Sequence, residues 1–147
     1  MFPYLQNFVH QYNVLMNILI DASALLPILI DKPEKKHIIH LTRNCSLLAP
    51  FILPLEIGNA LTRLHKRRIL NEQEVAIAFN DFKKIPLRLV NAEIETALSI
   101  ACRYALNAGE AYYLEIAVRL NLPFLTLDRS LKKAAADLKL RLLGEQK

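Results

Sequence analysis

Apolar runs of strand length recur along the chain and stop at polar residues. Val14–Ile20 is the clearest of these runs, and it ends at Asp21. A run without alternation is typical of a central parallel strand that is covered on both faces. The same pattern predicts further strands at Ser46–Ala49, Leu87–Val90 and Phe124–Leu127. Leucines that alternate with basic residues predict a half-exposed last strand over 138–142.

Stretches with helical periodicity lie between the predicted strands. The strongest is Leu55–Arg67, where Ile57, Ala60, Leu61 and Leu64 form one apolar stripe at i, i+3, i+4 and i+7. Other helices are predicted from Ala22, over Pro33–Arg43, from Asn71 with a capping box to Glu74, from Asn91, over Glu110–Leu120 and over Arg129–Asp137. Because strands that alternate with helices form parallel sheets, the pattern predicts a three-layer α/β fold with a central, mostly parallel sheet.

Nothing in the sequence divides the chain into several domains. Its 147 residues are a usual length for one domain, and there is no linker or internal repeat. Residues 1–15 are aromatic and amide-rich, and Met16 stands just before the first strand. We therefore expect an extension over 1–15, either native or an artefact of the assigned start, one domain over 16–143, and a tail over 144–147.

Composition and charge exclude several classes of protein. With 53% hydrophobic and 22% charged residues, the chain is not a disordered tail. Lys and Arg outnumber Asp and Glu by 19 to 14, which gives weak support to a polyanionic partner. Cys45 and Cys102 match no metal-binding spacing, so we expect a reduced, cytoplasmic setting. The apolar stretch over 14–30 contains Asp21, which argues against a membrane span.

Four acidic residues stand where a parallel sheet could bring them together. Asp21 and Asp128 follow two predicted strands, and Glu56 and Glu110 open two predicted helices. The carboxyl ends of parallel strands share one edge, where open α/β sheets bind ligands. Taken alone, Glu56 and Glu110 are also explained by the preference for acids in the first turn of a helix.

Convergence of the four carboxylates would require a cation, since like charges in one crevice repel each other. Oxygen ligands suit Mg²⁺ or Mn²⁺, and Mg²⁺ sites commonly combine a few carboxylates with substrate phosphates. Such an ion lowers the pKa of a bound water and offsets charge on the phosphate. The pattern therefore favours phosphodiester hydrolysis without a serine or cysteine nucleophile.

Four segments carry a resemblance to a known family. They read MNILIDASAL, PLEIGNAL, EAYYLEIA and TLDRSL, and they lie at 16–25, 54–61, 110–117 and 126–131. In this order they resemble the four acidic motifs of the PIN-domain nucleases, and those of the VapC toxins of toxin–antitoxin pairs in particular. The resemblance extends from Met16 to Leu143. It departs from the family at Glu110, where an Asp is usual.

The resemblance implies a role for each matching residue. Asp21, Glu110 and Asp128 would hold the metal, and Glu56 would complete the catalytic acidic site. Ser23 and Thr126 would support the carboxylates, although either also suits an ordinary helix start or strand. The departure at Glu110 leaves two candidates for the third acid. Glu115, one turn further on, lies about 140° round the helix, so Glu110 is preferred.

The activity implied by the resemblance is metal-dependent endoribonuclease cleavage by a toxin. Its partners would be an RNA substrate, a cognate antitoxin and a second copy in a homodimer, with no membrane involved. Arg129 and Lys132 are candidate contacts to the RNA backbone, or simply part of a solvated face. The alternative is a PIN-like binding module with weak or no catalysis, because the third acid is unusual. A phosphotransfer domain is disfavoured, since Ser23 stands where a second Asp would be needed.

Overall fold

The structure of the protein is a computed structural model that describes residues 15–145. Its sheet consists of four strands: β1 (Met16–Ile20), β2 (Cys45–Pro50), β3 (Leu87–Val90) and β4 (Phe124–Leu125). Their order across the sheet is β3-β2-β1-β4, and every pairing is parallel. The first strand in the sequence therefore lies inside the sheet. An all-parallel sheet within a single α/β domain confirms the predicted fold class.

Seven helices flank this sheet within the described residues. They are α1 (Ala22–Leu29), α2 (Lys35–Thr42), α3 (Leu53–Lys66), α4 (Glu72–Lys84), α5 (Ile94–Tyr104), α6 (Ala108–Arg119) and α7 (Arg129–Asp137). Side chains of α1–α4 form the core on one face of the sheet. Side chains of α5–α7 cover the other face. The two helical layers and the sheet between them make the predicted three-layer arrangement.

The central position of β1 explains the apolar residues in its second half. Ile18, Leu19 and Ile20 are all fully buried. Successive side chains of a strand point to opposite faces, so Leu19 joins the α6–α7 core while Ile20 joins the α1–α4 core. Each buried aliphatic side chain contributes about 1.5–3 kcal/mol relative to exposure. A strand between two covered faces gains from apolar residues at every position.

The strand register brings distant parts of the chain to one edge. Leu19 pairs with Phe124 and Ile20 with Leu125, so β1 and β4 end side by side. The backbone N–H of Asp21 donates to the carbonyl of Leu125 over 3.4 Å, which continues the pairing past the strand. The residues that follow the two strands therefore lie together, as the predicted positions of Asp21 and Asp128 require.

Two predicted helix starts differ in outcome. Asn71 and Glu74 form the predicted capping box at the start of α4. Asn91, in contrast, does not cap α5, which begins at Ile94. Arg119 donates to the carbonyl of Asn91 over 2.8 Å, and Glu93 N–H donates to Glu115 Oε2 over 3.0 Å. These contacts hold 91–93 extended, so the helix begins only after them.

The predicted last strand over 138–142 is wrong. Only an isolated bridge between Phe124 and Leu142 remains beside β4. Lys139 adopts a left-handed backbone with φ of 58°, which interrupts an extended segment. Leu140 and Leu142 nevertheless pack against the core. The alternation of leucines with basic residues therefore reflects burial of the leucines, and not a ladder of strand hydrogen bonds. The neighbouring strand β4 is also shorter than predicted, and it ends at Leu125.

The predicted extension over 1–15 falls almost entirely outside the described residues. The division into extension, domain and tail therefore stays a prediction. Within residues 15–145, none of the helices has the length and apolar character needed to cross a bilayer.

Candidate functional site

Asp21 directly follows β1 and caps α1 with a buried carboxylate. Its Oδ1 accepts hydrogen bonds from Ala24 N–H over 3.2 Å and from Ser23 Oγ over 2.7 Å. Its Oδ2 accepts one from Thr126 Oγ1 over 2.6 Å. Burial raises the pKa of Asp21, and the charge of Asp128 adds to this, while the three hydrogen bonds act in the opposite direction. A buried carboxylate with this environment gains from a cation.

Two hydroxyls connect the ends of β1 and β4. Ser23 Oγ lies 3.2 Å from Thr126 Oγ1, and it accepts a hydrogen bond from Leu127 N–H over 2.8 Å. Thr126 Oγ1 in turn accepts one from Asp128 N–H over 3.1 Å. The two hydroxyls thus orient Asp21 and tie it to the segment that carries Asp128. This is the supporting position that the sequence motifs imply for Ser23 and Thr126.

Asp128 is the N-cap of α7 and is partly buried. Its Oδ1 accepts hydrogen bonds from Leu131 N–H over 3.0 Å and from Ser130 Oγ over 2.6 Å. Partial burial raises the pKa of Asp128, but hydrogen bonds from Ser130 and the backbone of Leu131 outweigh it and hold the pKa below its usual value. Asp128 is therefore a stable anion at the rim of the site.

Glu56 lies in the first turn of α3 and meets the opposite helical layer through a tyrosine. The Tyr113 hydroxyl donates to Glu56 Oε2 over 2.5 Å. Burial is the main cause of a raised pKa at Glu56, and the charges of Asp21 and Glu110 raise it further, whereas the Tyr113 hydrogen bond lowers it. Burial and the neighbouring Glu56 also raise the pKa of Tyr113, so its hydroxyl stays protonated and remains a donor.

Glu110 serves two purposes at the start of α6. Its Oε2 accepts a hydrogen bond from Asn107 N–H over 3.1 Å, and its own N–H donates to Asn107 Oδ1 over 2.8 Å. This capping box satisfies the helix start and holds the carboxylate beside Glu56. Gly109 leaves room for the capping side chain, since a Cβ there would lie 3.2 Å from Asn107 Oδ1, closer than most Cβ contacts. First-turn stabilisation and a place in the acidic site are thus compatible.

These elements line an open cavity of about 410 Å³ at the carboxyl edge of the sheet. Its walls contain all four predicted acids together with polar side chains from α3 and the start of α6. The lining residues that carry polar side chains are Asp21, Ser23, Glu56, Asn59, Arg63, Asn107, Glu110, Tyr113 and Asp128. The structure therefore gathers the four carboxylates around one space.

Carboxylate oxygens are donors that fit Mg²⁺ or Mn²⁺, and the mutual repulsion of Glu56, Asp21 and Glu110 would be relieved by a cation. Within residues 15–145, however, no three acidic, cysteine or histidine side chains are already close enough to hold a metal ion. An ion in this cavity would keep water ligands, as Mg²⁺ commonly does. The donor set fits the ion, and the arrangement leaves room for its hydration.

The family model of the PIN domain matches residues 18–137 of this chain. The chain belongs to the PIN-domain family. PIN domains are a nuclease-type family whose members typically use divalent metals. The matched range includes all four acids of the cavity.

A solved structure supports the same fold for this PIN domain. The crystal structure of PAE2754 from Pyrobaculum aerophilum superposes with a TM-score of 0.65 and 22% sequence identity. The alignment covers 81% of this chain and 79% of that protein. At this identity the similarity concerns the fold alone. No protein with curated annotation matches the sequence.

Glu115, the other candidate for the third acid of the PIN domain, lies away from the cavity. It is 2% exposed and forms an ion pair with Arg119, whose Nε lies 2.6 Å from Glu115 Oε1. Its Oε2 accepts the hydrogen bond from Glu93 N–H. Glu115 therefore anchors the segment before α5, and Glu110 is the acid that faces the cavity.

The two predicted RNA contacts lie outside the cavity lining. Lys132 pairs with Glu145 over 2.6 Å, and Arg129 is exposed at the start of α7. Sequence reasoning missed the roles of Tyr113, Asn59 and Arg63 in the walls of the site. For Asn59 and Arg63 a signal was present, since they recur at i+3 and i+7 from Glu56 on one helix face. No local signal connects Tyr113 to Glu56.

Proposed function

We propose that this protein is a metal-dependent endoribonuclease that acts as the toxin of a type II toxin–antitoxin pair. The observation that carries the proposal is the cavity that Asp21, Glu56, Glu110 and Asp128 line together. These four acids come from separate elements, and burial raises the pKa of two of them, Asp21 and Glu56. Such a cluster is unfavourable without a cation, and it suits a hydrated divalent ion that carries an RNA phosphate.

Asp21, Glu110 and Asp128 would hold the Mg²⁺ or Mn²⁺, with Glu56 completing the acidic site. When bound, the ion would activate a water and offset the charge that develops on the phosphate. Ser23 and Thr126 would keep Asp21 in one orientation through hydrogen bonds of 2.7 and 2.6 Å. Tyr113 would do the same for Glu56 and keep its carboxylate directed into the cavity.

The toxin role rests on the resemblance of the four motifs to those of the VapC proteins. It implies an antitoxin that covers the acidic cavity, a homodimer and a cytoplasmic location. Arg129 and Lys132 lie in the first turn of α7, which begins directly after Asp128 in the sequence. From there they would attract the RNA backbone. For Lys132 this requires release of the exposed partner Glu145.

The second candidate function is a PIN-like module that binds RNA or a protein partner with little or no catalysis. The observation that favours it concerns Glu110, which replaces the usual Asp and already accepts a hydrogen bond from Asn107. Substitution of Glu110 by Asp separates the two candidates. An inactive module should gain cleavage from this change, whereas an adapted nuclease should gain nothing.

The proposal is tested by cleavage of a mixed pool of single-stranded and structured RNA. Wild type and Asp21→Asn are each incubated with Mg²⁺, Mn²⁺ or EDTA. Cleavage that requires the metal and is abolished in Asp21→Asn is the expected result. If wild type cuts nothing in any condition, calorimetric titration with Mn²⁺ decides between the two candidates. Binding that depends on Asp21 supports a nuclease with a narrow range of substrates. Absence of binding favours the inactive module.

The toxin role has its own test in a bacterial host. Induced expression of wild type should arrest growth, and Asp21→Asn should relieve the arrest at equal protein level. Cleavage in vitro without any effect on growth would support a ribonuclease and contradict the toxin.

A further inference from the structure

One face of α3 lines the cavity with polar side chains and extends past the cavity's acidic residues. Glu56, Asn59 and Arg63 recur at i, i+3 and i+7, and all three line the cavity. At 1.5 Å per residue, Glu56 and Arg63 lie about 10 Å apart along the helix axis. The α3 wall thus begins with a carboxylate, passes an amide and ends with a guanidinium.

Arg63 lines the acidic cavity and forms no ion pair with any other described residue. Among the described residues, the salt bridges involve Lys35, Lys84, Arg119 and Lys132. Within residues 15–145, Arg63 has no carboxylate within 4 Å, although four acids line the same cavity, and it is exposed to solvent. Its guanidinium is therefore available to an external anion.

The helix dipole explains the charge of Arg63 but not its position. Cations suit the last turn of a helix, and Arg63, His65 and Lys66 all lie in the last turn of α3. Only Arg63 of these three lines the cavity, whereas His65 turns to the following loop and contacts the carbonyl of Leu70 over 2.9 Å. A purely helix-stabilising cation has no need to face the carboxylates.

We propose that Arg63 and Asn59 form a phosphate subsite for the RNA phosphate that flanks the scissile one. The inference rests on the proposed ribonuclease function and deepens it. A guanidinium binds phosphate oxygens through two parallel hydrogen bonds, and an amide N–H adds a further donor. Because the carboxylates repel the RNA backbone, a cation on the same wall supplies attraction where the strand enters. The strand would then run along α3, from Glu56 towards Arg63.

The test compares Arg63→Gln with Lys66→Gln. Each variant removes one positive charge from the last turn of α3, but only Arg63 lines the cavity. Steady-state cleavage of one single-stranded RNA found in the pool assay is measured for wild type and both variants. We expect Arg63→Gln to raise KM about tenfold or more with a small change in kcat, because a charge-assisted contact to RNA is lost. Lys66→Gln should stay close to wild type.

The salt dependence of KM gives a second readout. The loss of one phosphate contact should reduce the slope of log KM against log salt by about 0.7 in Arg63→Gln. Arg63→Lys should restore part of the affinity, since a lysine keeps the charge but not the planar fork. Equal effects of Arg63→Gln and Lys66→Gln would mean general electrostatic attraction and would overturn the subsite.

Charge balance within the cavity is the other role that Arg63 could have. In that case Arg63→Gln would tighten Mn²⁺ binding, measured by calorimetry, and leave KM unchanged, which would also overturn the subsite. The phosphate subsite and the proposed ribonuclease function fail in different ways. Normal KM in Arg63→Gln, with cleavage still abolished in Asp21→Asn, removes the subsite alone; absence of cleavage and of RNA binding in wild type removes the function.

Discussion

Tyr113 donates its hydroxyl hydrogen to Glu56 over 2.5 Å and so joins the hydrophobic core to the acidic site. The tyrosine ring is 1% exposed and stacks on Phe124 of β4, with ring centroids 5.9 Å apart. Glu56 belongs to the helical layer on the other face of the sheet. The position of a carboxylate in the site thus depends on packing between β4 and α6.

Tyr113→Phe should lower cleavage through kcat, because Glu56 loses the donor that orients it. We expect a loss of about tenfold, typical of a group that supports a metal site. Tyr112→Phe is the matched control, since Tyr112 lines a different pocket with Phe51 and Ile94, whereas the hydroxyl that donates to Glu56 belongs to Tyr113. Equal kcat values in the two variants, with unchanged folding by circular dichroism, would contradict a positioning role for Tyr113.

Glu110→Gln should separate helix capping from metal binding. Glutamine also serves at the third position of a capping box, so the Tm should change little. Loss of the carboxylate should weaken Mn²⁺ binding by more than about tenfold, measured by calorimetry. Glu74→Gln is the control, because Glu74 forms the same box with Asn71 away from the acidic cavity. If Glu110→Gln behaves like Glu74→Gln, Glu110 is a capping residue only.

The free energy of unfolding should fall as pH rises, because Glu56 is partly buried. Burial raises the pKa of Glu56 above its ordinary value of 4.5, so the unfolded state loses its proton at lower pH than the folded state does. The contribution of Glu56 is therefore fully present below pH 4.5 and is lost as pH rises through the higher, folded-state pKa. Glu56→Gln removes this loss. The free energy of unfolding of this variant should therefore increase relative to that of wild type as pH rises.

Urea denaturation between about pH 4 and about pH 8 measures this difference. Glu34→Gln is the control, since Glu34 is exposed and makes no side-chain hydrogen bond at the start of α2. A constant difference between Glu56→Gln and wild type over the whole range would show that Glu56 titrates alike in both states.

Mn²⁺ should raise the Tm of wild type, because an ion that binds only the folded state stabilises it by mass action. The shift should shrink as pH falls, since protons compete with the ion for Asp21, whose pKa burial raises. Thermal unfolding of Asp21→Asn should show no shift. Asp81→Asn is the control, because Asp81 is an exposed partner of Lys84 on α4 and should keep the full shift.

Local features of the sequence were sufficient for much of the fold. The apolar run into Asp21 identified a central strand, and the stripe of Ile57 and Leu61 identified α3. The capping box of Asn71 and Glu74 was also readable, because its hydrogen bonds join residues three apart. The alternation over 138–142 misled, since burial against a core can alternate without strand pairing.

The sequence by itself determined the order of elements, the acids at their ends and the PIN-domain membership, because these depend on periodicity and on motifs of a few residues. Only the tertiary structure decided which side chains share the cavity. Thr126 reaches Asp21 across 105 residues of sequence, and Tyr113 reaches Glu56 across 57. Such contacts depend on strand order and on the packing of helices from opposite layers, and no local pattern encodes either distance.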